Sequence, residues 1–243
     1  MPIDSTTKVR DVALELPQST HVFEKLKIDY CCGGDRPLGA ACASVGVEFE
    51  NVLQMIDQLR QTPRQGHGTP NLQDATASEL IAYILDKHHV YTKDEMARLE
   101  PLADKVVAAH GANHSELLAI HDLLHQLFVE LRQHMFKEER ILFPFVIALE
   151  KAREQNRPAP FAPFGAVTNP IRMMMIEHDT AGEVLREIRK LSSNYQIPAD
   201  ACISFKTFYE AVEALEQDLH QHIHLENNLL FPKAIELEDA LTS

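Results

Sequence analysis

The chain has no tryptophan, only nine glycines in 243 residues, and four cysteines, of which two are adjacent and two isolated. So little glycine leaves few sites for the tight turns of a β-protein and suits a helical one. Four cysteines so placed make no disulfide framework of a small secreted domain, and predict a reducing, cytoplasmic home. Long apolar runs are missing too: the longest, Ile141 to Leu149, is nine residues interrupted by Pro144, where a membrane span needs about 20. The first residues hold neither a basic stretch nor a following apolar one, so no export signal is expected there. Positive charge is scarce as well: 23 basic against 36 acidic side chains leave a net charge of −13, which excludes general binding to nucleic-acid phosphates. What is present is a 45% apolar chain, long enough to bury one medium core and a smaller one.

The strongest signal is an internal repeat. Residues 130–144, ELRQHMFKEERILFP, recur as residues 218–232, DLHQHIHLENNLLFP, with Leu, Gln, His, Glu, Leu, Phe and Pro at identical offsets. His134 and Glu138, like His222 and Glu226, stand four residues apart, so each pair projects from one helix face about 6 Å apart along the axis. A single His-x-x-x-Glu is usually a solvated polar face; two copies with the same flanks point to a metal half-site used twice.

Residues 8–60 read as three short helical pieces, with DYCCGG (Asp29 to Gly34) between the second and third. Residues 62–75, with Pro63, Gly66, His67, Gly68 and Pro70, read as a linker. From residue 76 four long helical runs follow, at about 76–109, 113–150, 169–195 and 199–237, predicting an antiparallel four-helix bundle over 76–243 behind a small helical domain over 1–61. Pro144 and Pro232 should bend or end their helices. Met173 to Met175 are expected in the bundle core, and Cys42 and Cys202 as buried small hydrophobes.

The two remaining long runs offer further ligands. His178 precedes His222 by 44 residues and His89 precedes His134 by 45, so each helix pair repeats one plan; His88, at 46, competes with His89. Ala181 and Gly182, on the face of His178, leave room for an ion or small ligand. Four imidazoles (His89, His134, His178, His222) and two carboxylates (Glu138, Glu226) suit two first-row ions bridged by carboxylates, iron or manganese, with positions open to oxygen-derived ligands or nitric oxide. Glu130, Asp218 and Glu177 stand where they could orient ligands or steer ions. Ile141 and Leu229, seven positions past the ligand histidines, are expected to return to that face and keep it apolar. His121, His125, His220 and His224 carry less weight.

With these residues in view the bundle resembles the hemerythrin-like fold, and the whole chain resembles the bacterial iron-sulfur cluster repair family (RIC, YtfE/ScdA) through VALELPQSTHVFEKLKIDYCCGG at 12–34, HMFKEERILFP and HIHLENNLLFP. That resemblance implies a non-haem di-iron centre, oxo- and carboxylate-bridged, held by His89, His134, Glu138, His178, His222 and Glu226, with Glu130 and Glu177 lining access. It implies repair of clusters damaged by oxidative or nitrosative stress by iron supply, with damaged iron-sulfur proteins as partners and nitric oxide or oxygen as small ligands. A homodimer stays open, as do a gas-sensing role and nitric oxide reduction. The proline-rich stretch from Arg157 to Pro170 is longer than the resemblance leads one to expect. Cys31 and Cys32, followed by Gly33 and Gly34, are expected to form an exposed turn presenting both sulfurs for redox chemistry, docking or iron transfer, unless they and Tyr30 pack a small core.

Overall fold

The long helical runs expected from the sequence become four antiparallel rods because their apolar residues recur on one face. A computed structural model of the chain describes residues 2–61 and 72–242; most of the expected linker, residues 62–71 with His67, lies outside the described residues. The small N-terminal unit holds α1 (Val9–Glu15), α2 (Ser19–Leu26), α3 (Leu38–Ser44) and α4 (Phe49–Gln61). They pack around Phe23, Tyr30, Leu38, Val52 and Ile56. The sequence reading has three pieces here and lacks α3. Its buried stripe, Leu38, Ala41 and Cys42, has helical spacing but is made inconspicuous by small side chains. No strand forms among the described residues; Lys8 and Pro37 make one isolated bridge.

The first rod comprises α5 (Ala77–Tyr83), a π turn (Ile84–His89) and α6 (Val90–His110). The second comprises α7 (Glu116–Lys137), a π turn (Glu138–Leu142) and α8 (Phe143–Glu154); the third is α9 (Thr168–Leu191). The fourth comprises α10 (Ile203–Leu225), a π turn (Glu226–Leu230) and α11 (Phe231–Thr242). Helix α6 packs on α7 and α10, α7 on α9, and α8 on α5 and α11. Thr76 opens α5 with a capping box to Glu79, and Glu150 accepts from the backbone of Ala77 (2.7 Å) and Ser78 (3.1 Å). Glu238 does the same for Val167 ahead of α9 at 2.9 and 3.0 Å. Both carboxylates satisfy amides that have no partner within their own helix. The proline-rich stretch is anchored here: Phe164 lies edge-on to Phe145 at 4.9 Å.

The prolines do not end their helices. Pro144 and Pro232 each stand two residues past the end of a π turn, so the missing N–H falls where the hydrogen-bond register is already changing. The same turns correct two other expectations. A π turn takes an extra residue, so seven positions no longer bring the chain back to the same face. Ile141 is therefore exposed and Leu229 half-buried, while Leu142 and Leu230, eight positions past the histidines, are buried. Of the three methionines only Met174 is core; Met173 and Met175 are exposed, because three consecutive residues cannot share one helical stripe.

Two apolar clusters fill the bundle. One runs from Met96, Leu131 and Met135 to Leu219; the other from Ile84, Leu142 and Met174 to Leu225 and Leu237. Of the histidine and glutamate candidates, His89, Glu138, His178 and His222 fall between them, in the sequence gaps 84–96, 135–142, 174–181 and 219–225, and His134 and Glu226 each stand one residue outside. Each rod contributes to one polar layer walled by hydrocarbon on both sides.

Candidate metal centre

His89, Glu138, His222 and Glu226 bring one donor atom each within 4.8 Å of one another, and so do His134, Glu138, His178 and Glu226; all six residues are buried. The two glutamates belong to both groups. Glu138 turns Oε1 toward His134 Nε2 (3.2 Å) and Oε2 toward His89 Nε2 (3.5 Å). Glu226 turns Oε1 toward His222 Nε2 (3.0 Å) and Oε2 toward His178 Nε2 (3.1 Å). Each carboxylate thus spans both histidine pairs. Every π turn carries one of these residues at its edge: His89 ends the first, and Glu138 and Glu226 open the others. Such turns shift the register by one residue and are frequent at functional sites.

The hydrogen bonding of the imidazoles fixes what they offer. His89 Nδ1 donates to Glu139 Oε1 (2.8 Å), His134 Nδ1 to Glu177 Oε2 (2.8 Å), and His178 Nδ1 to Asn227 Oδ1 (2.9 Å). A proton committed to Nδ1 leaves a lone pair on Nε2 in the neutral ring. Yet Nε2 of His89 lies 3.1 Å from that of His222, and Nε2 of His178 lies 3.1 Å from that of His134. For His134 and His178, whose Nδ1 atoms are both committed, two lone pairs then face each other and repel unless a cation lies between them. Both oxygens of Glu138 and Oε2 of Glu226 are buried without a hydrogen-bond partner, a costly arrangement for a carboxylate. The donor set fits metal ions on both counts.

Without metal, protons supply the missing charge. Burial would lower the His134 imidazolium, but the charge of the adjacent Glu138 and the hydrogen bond to Glu177 outweigh it and raise it to about 10. Burial likewise opposes ionisation of Glu226, yet the charge of His222 and the nearness of His178 hold it well below the usual carboxylate range. Metal loading near pH 7 is therefore expected to release protons and to strengthen as pH rises. Calorimetric titration with ferrous iron in buffers of different ionisation enthalpy measures the number; a value of zero would contradict this electrostatic account.

His88 does not join either group. Its Nδ1 lies 3.0 Å from Asp218 Oδ1, and its ring stacks on His222 at 5.5 Å, so geometry separates two neighbours that spacing leaves open. Glu177 orients His134, is also paired with Lys137, and is held at about 2, first by His134. Glu130 accepts from Gln126 (3.0 Å) and lines a cavity of about 260 Å³ together with Glu177, His134, His178 and Ala181. His121 stays at the surface with Asp104.

The cysteine pair lies differently from the expectation. Both thiols are free; Cys31 is buried and Cys32 half-buried. Asp29 Oδ1 accepts from the backbone of Cys31 (3.1 Å), Cys32 (3.0 Å) and Gly33 (3.0 Å), tying down the turn. The hydrogen bond to Cys32 and burial raise the Cys31 thiol well above its ordinary range. Cys32 Sγ lies 3.9 Å from where a β-carbon on Gly182 would stand, one helical turn past His178. Gly182 thus gives its space to the N-terminal unit, and Ala181 gives its own to the cavity. The histidines with least weight in the sequence hold this contact. His220 pairs with Glu24 at 2.7 Å, and Asn228 donates to Tyr30 O (3.4 Å) and His224 Nδ1 (2.9 Å). Burial holds His224 at about 4, neutral at pH 7. Cys202 is the other correction: it is exposed at the start of α10, 3.1 Å from His110 Nε2, and is lowered to about 7, first by the Phe205 backbone. A capping position, not a core one, is its place.

Comparison with known proteins extends these observations. Residues 80–234 match the family described as Hemerythrin HHE cation binding domain, and residues 5–60 match a family described as a domain of unknown function (ScdA_N, DUF542). The chain is 30% identical over 231 residues to the iron-sulfur cluster repair protein ScdA of Staphylococcus haemolyticus, covering 95% of this chain and 99% of that one. It is 31% identical over 228 residues to a probable iron-sulfur cluster repair protein of Haemophilus influenzae, covering 94% and 96%. It is also 31% identical over 224 residues to the iron-sulfur cluster repair protein YtfE of Yersinia pseudotuberculosis, covering 92% and 94%.

Proposed function

This chain belongs to the family of iron-sulfur cluster repair proteins with a hemerythrin HHE cation-binding domain, and on that footing we propose that it restores damaged iron-sulfur clusters by supplying iron from a two-ion centre. His89 and His222 would hold one ion, His134 and His178 the other, with Glu138 and Glu226 bridging them. The observation that carries this reading is the split use of each carboxylate, one oxygen toward each histidine pair. Four imidazoles with two carboxylates favour iron over a thiolate-bound zinc. When bound, ferrous ions supply the cargo and, at their open positions, a place for oxygen-derived ligands or nitric oxide.

Withdrawing one carboxylate oxygen takes a donor from one ion and leaves the other ion its own, so a bridged pair can give up iron without unfolding. Cys32, whose Sγ stands against Gly182 one turn past His178, would be a soft donor for a departing ion or the client's damaged cluster, with the buried Cys31 beside it. The partners are cytoplasmic proteins with such clusters. No helix among the described residues is long and apolar enough to cross a membrane.

The test is iron movement. Iron-loaded protein is mixed anaerobically with a dehydratase whose cluster has been damaged, the two are separated, and iron and activity are counted in each. Iron is expected to move with recovered activity, several-fold more slowly after Cys31→Ser with Cys32→Ser. Iron that stays bound would contradict the proposal. A second reading, nitric oxide reduction at the same ions, is favoured by the cavity that reaches His134 and His178; nitrous oxide formed under turnover with a reductant would support it.

A further inference from the structure

We propose that the two ions are unequal: the ion between His134 and His178 is the one given away, and the ion between His89 and His222 is retained, closed in by His88. The inference rests on the two-ion reading and deepens it. The duplicated hairpins supply a nearly symmetric surround. Phe143 lies 5.7 Å from the ring of His89, and Phe231 lies 5.9 Å from that of His178. The residue after each bridging glutamate, Glu139 or Asn227, accepts from one of these histidines. Each pair also has one imidazole backed by a carboxylate, His89 by Glu139 and His134 by Glu177. A carboxylate so placed makes its histidine a stronger donor, but with one for each ion, donor strength does not tell the two apart.

The symmetry breaks at the residue before the early histidine of each hairpin. There the second hairpin has Glu177 and the first has His88. Glu177 is half-exposed, accepts from His134, and stands in the wall of the 260 Å³ cavity with His178, Thr180 and Ala181. His88 is only 4% exposed. It stacks 8° from parallel on His222, is held by Asp218, and meets the edge of Tyr83 at 5.8 Å. His222 also borders the cavity, but His89 and the two bridging glutamates do not. A metal leaves a protein by exchanging its donors for water or an incoming ligand one at a time, so departure needs solvent at the donors. His134 and His178 both meet the cavity; the other pair meets it at one residue and is sealed by a ring where its counterpart has a carboxylate at an opening. The departing ion leaves as Fe²⁺ with no electron moved, its charge replaced by protons taken up by the vacated donors.

Chelation kinetics test this. Anaerobic protein loaded with ferrous iron is mixed with excess of a strong ferrous chelator and the coloured complex followed in time. Two phases of equal amplitude, one ion each, are expected. Ala181→Leu, which fills the cavity, should slow the fast phase several-fold and leave the slow one alone. His88→Ala should speed only the slow phase, and His88→Phe, which restores a stacked ring without the bond to Asp218, should return it to the original rate. A single phase in the unaltered chain, an Ala181→Leu variant whose fast phase is unchanged, or a His88→Phe variant as fast as His88→Ala would overturn the proposal. Fewer than two ions bound before chelation would instead overturn the two-ion reading itself.

Discussion

Glu138→Leu is expected to take the iron content of the purified protein from two ions per chain to below one, with Glu226→Leu doing the same. Each glutamate is fully buried and offers an oxygen to both histidine pairs, so one substitution removes a donor from both ions. Loss of a partner that only orients a ligand costs about 10–100-fold in affinity, and loss of a bridging donor should exceed that for each ion. Glu139→Ala, which deprives His89 of its Nδ1 acceptor, is the control and should fall within that smaller range. Leucine is close to glutamate in size and sits in a layer already walled by Met135 and Leu142, so helix content should be kept. Iron per chain after desalting, read beside far-ultraviolet circular dichroism, checks this; full occupancy in Glu138→Leu would contradict the shared-carboxylate account.

Removing the metal should cost the fold heavily. A ligand held at 1,000 times its dissociation constant stabilises the folded state by about 4.1 kcal/mol, so two ions contribute about 8 kcal/mol. In a chain of this size 1 kcal/mol shifts the melting temperature by about 2–4 °C, which gives a drop of roughly 15–30 °C on chelation. The metal-free chain then relies on imidazolium–carboxylate pairing, and the sign of its pH dependence follows. His134, raised from 6.5 to about 10, contributes stability that is fully present below pH 6.5 and is lost as pH rises through about 10. Glu226, lowered well below 4.5, contributes stability present above pH 4.5 and lost as pH falls through its folded value. The stripped protein should therefore melt highest between these limits and lose stability on both sides. Scanning calorimetry with and without chelator measures both effects. Equal melting temperatures for the two forms would show that the layer is not a tight metal centre.

Much of the centre is legible in the sequence because its geometry is local. His134 with Glu138, and His222 with Glu226, are set by a four-residue spacing on one helix, and the duplication calls for a histidine on each partner helix. His88 and His89 cannot be separated that way, since both sit on the same rod near the right height. What decides between them is the π turn at Ile84–His89 and the stacking of His88 on His222, and a π turn has no periodicity to announce it. The same blindness places Ile141 and Leu229 one position away from the residues that fill the core. The docking face is harder still. His220 and Asn228 gain their partners Glu24 and the Tyr30 carbonyl from some 200 residues away in sequence. Side chains whose surroundings come from one helix are readable; those whose surroundings come from another unit are not.

Anomalous diffraction at the iron edge, from crystals of anaerobically loaded protein, tests the central claim most directly. The account predicts two peaks, one between His89 and His222 and one between His134 and His178, both within reach of Glu138 and Glu226. A single peak, or density bound away from these six residues, would contradict it.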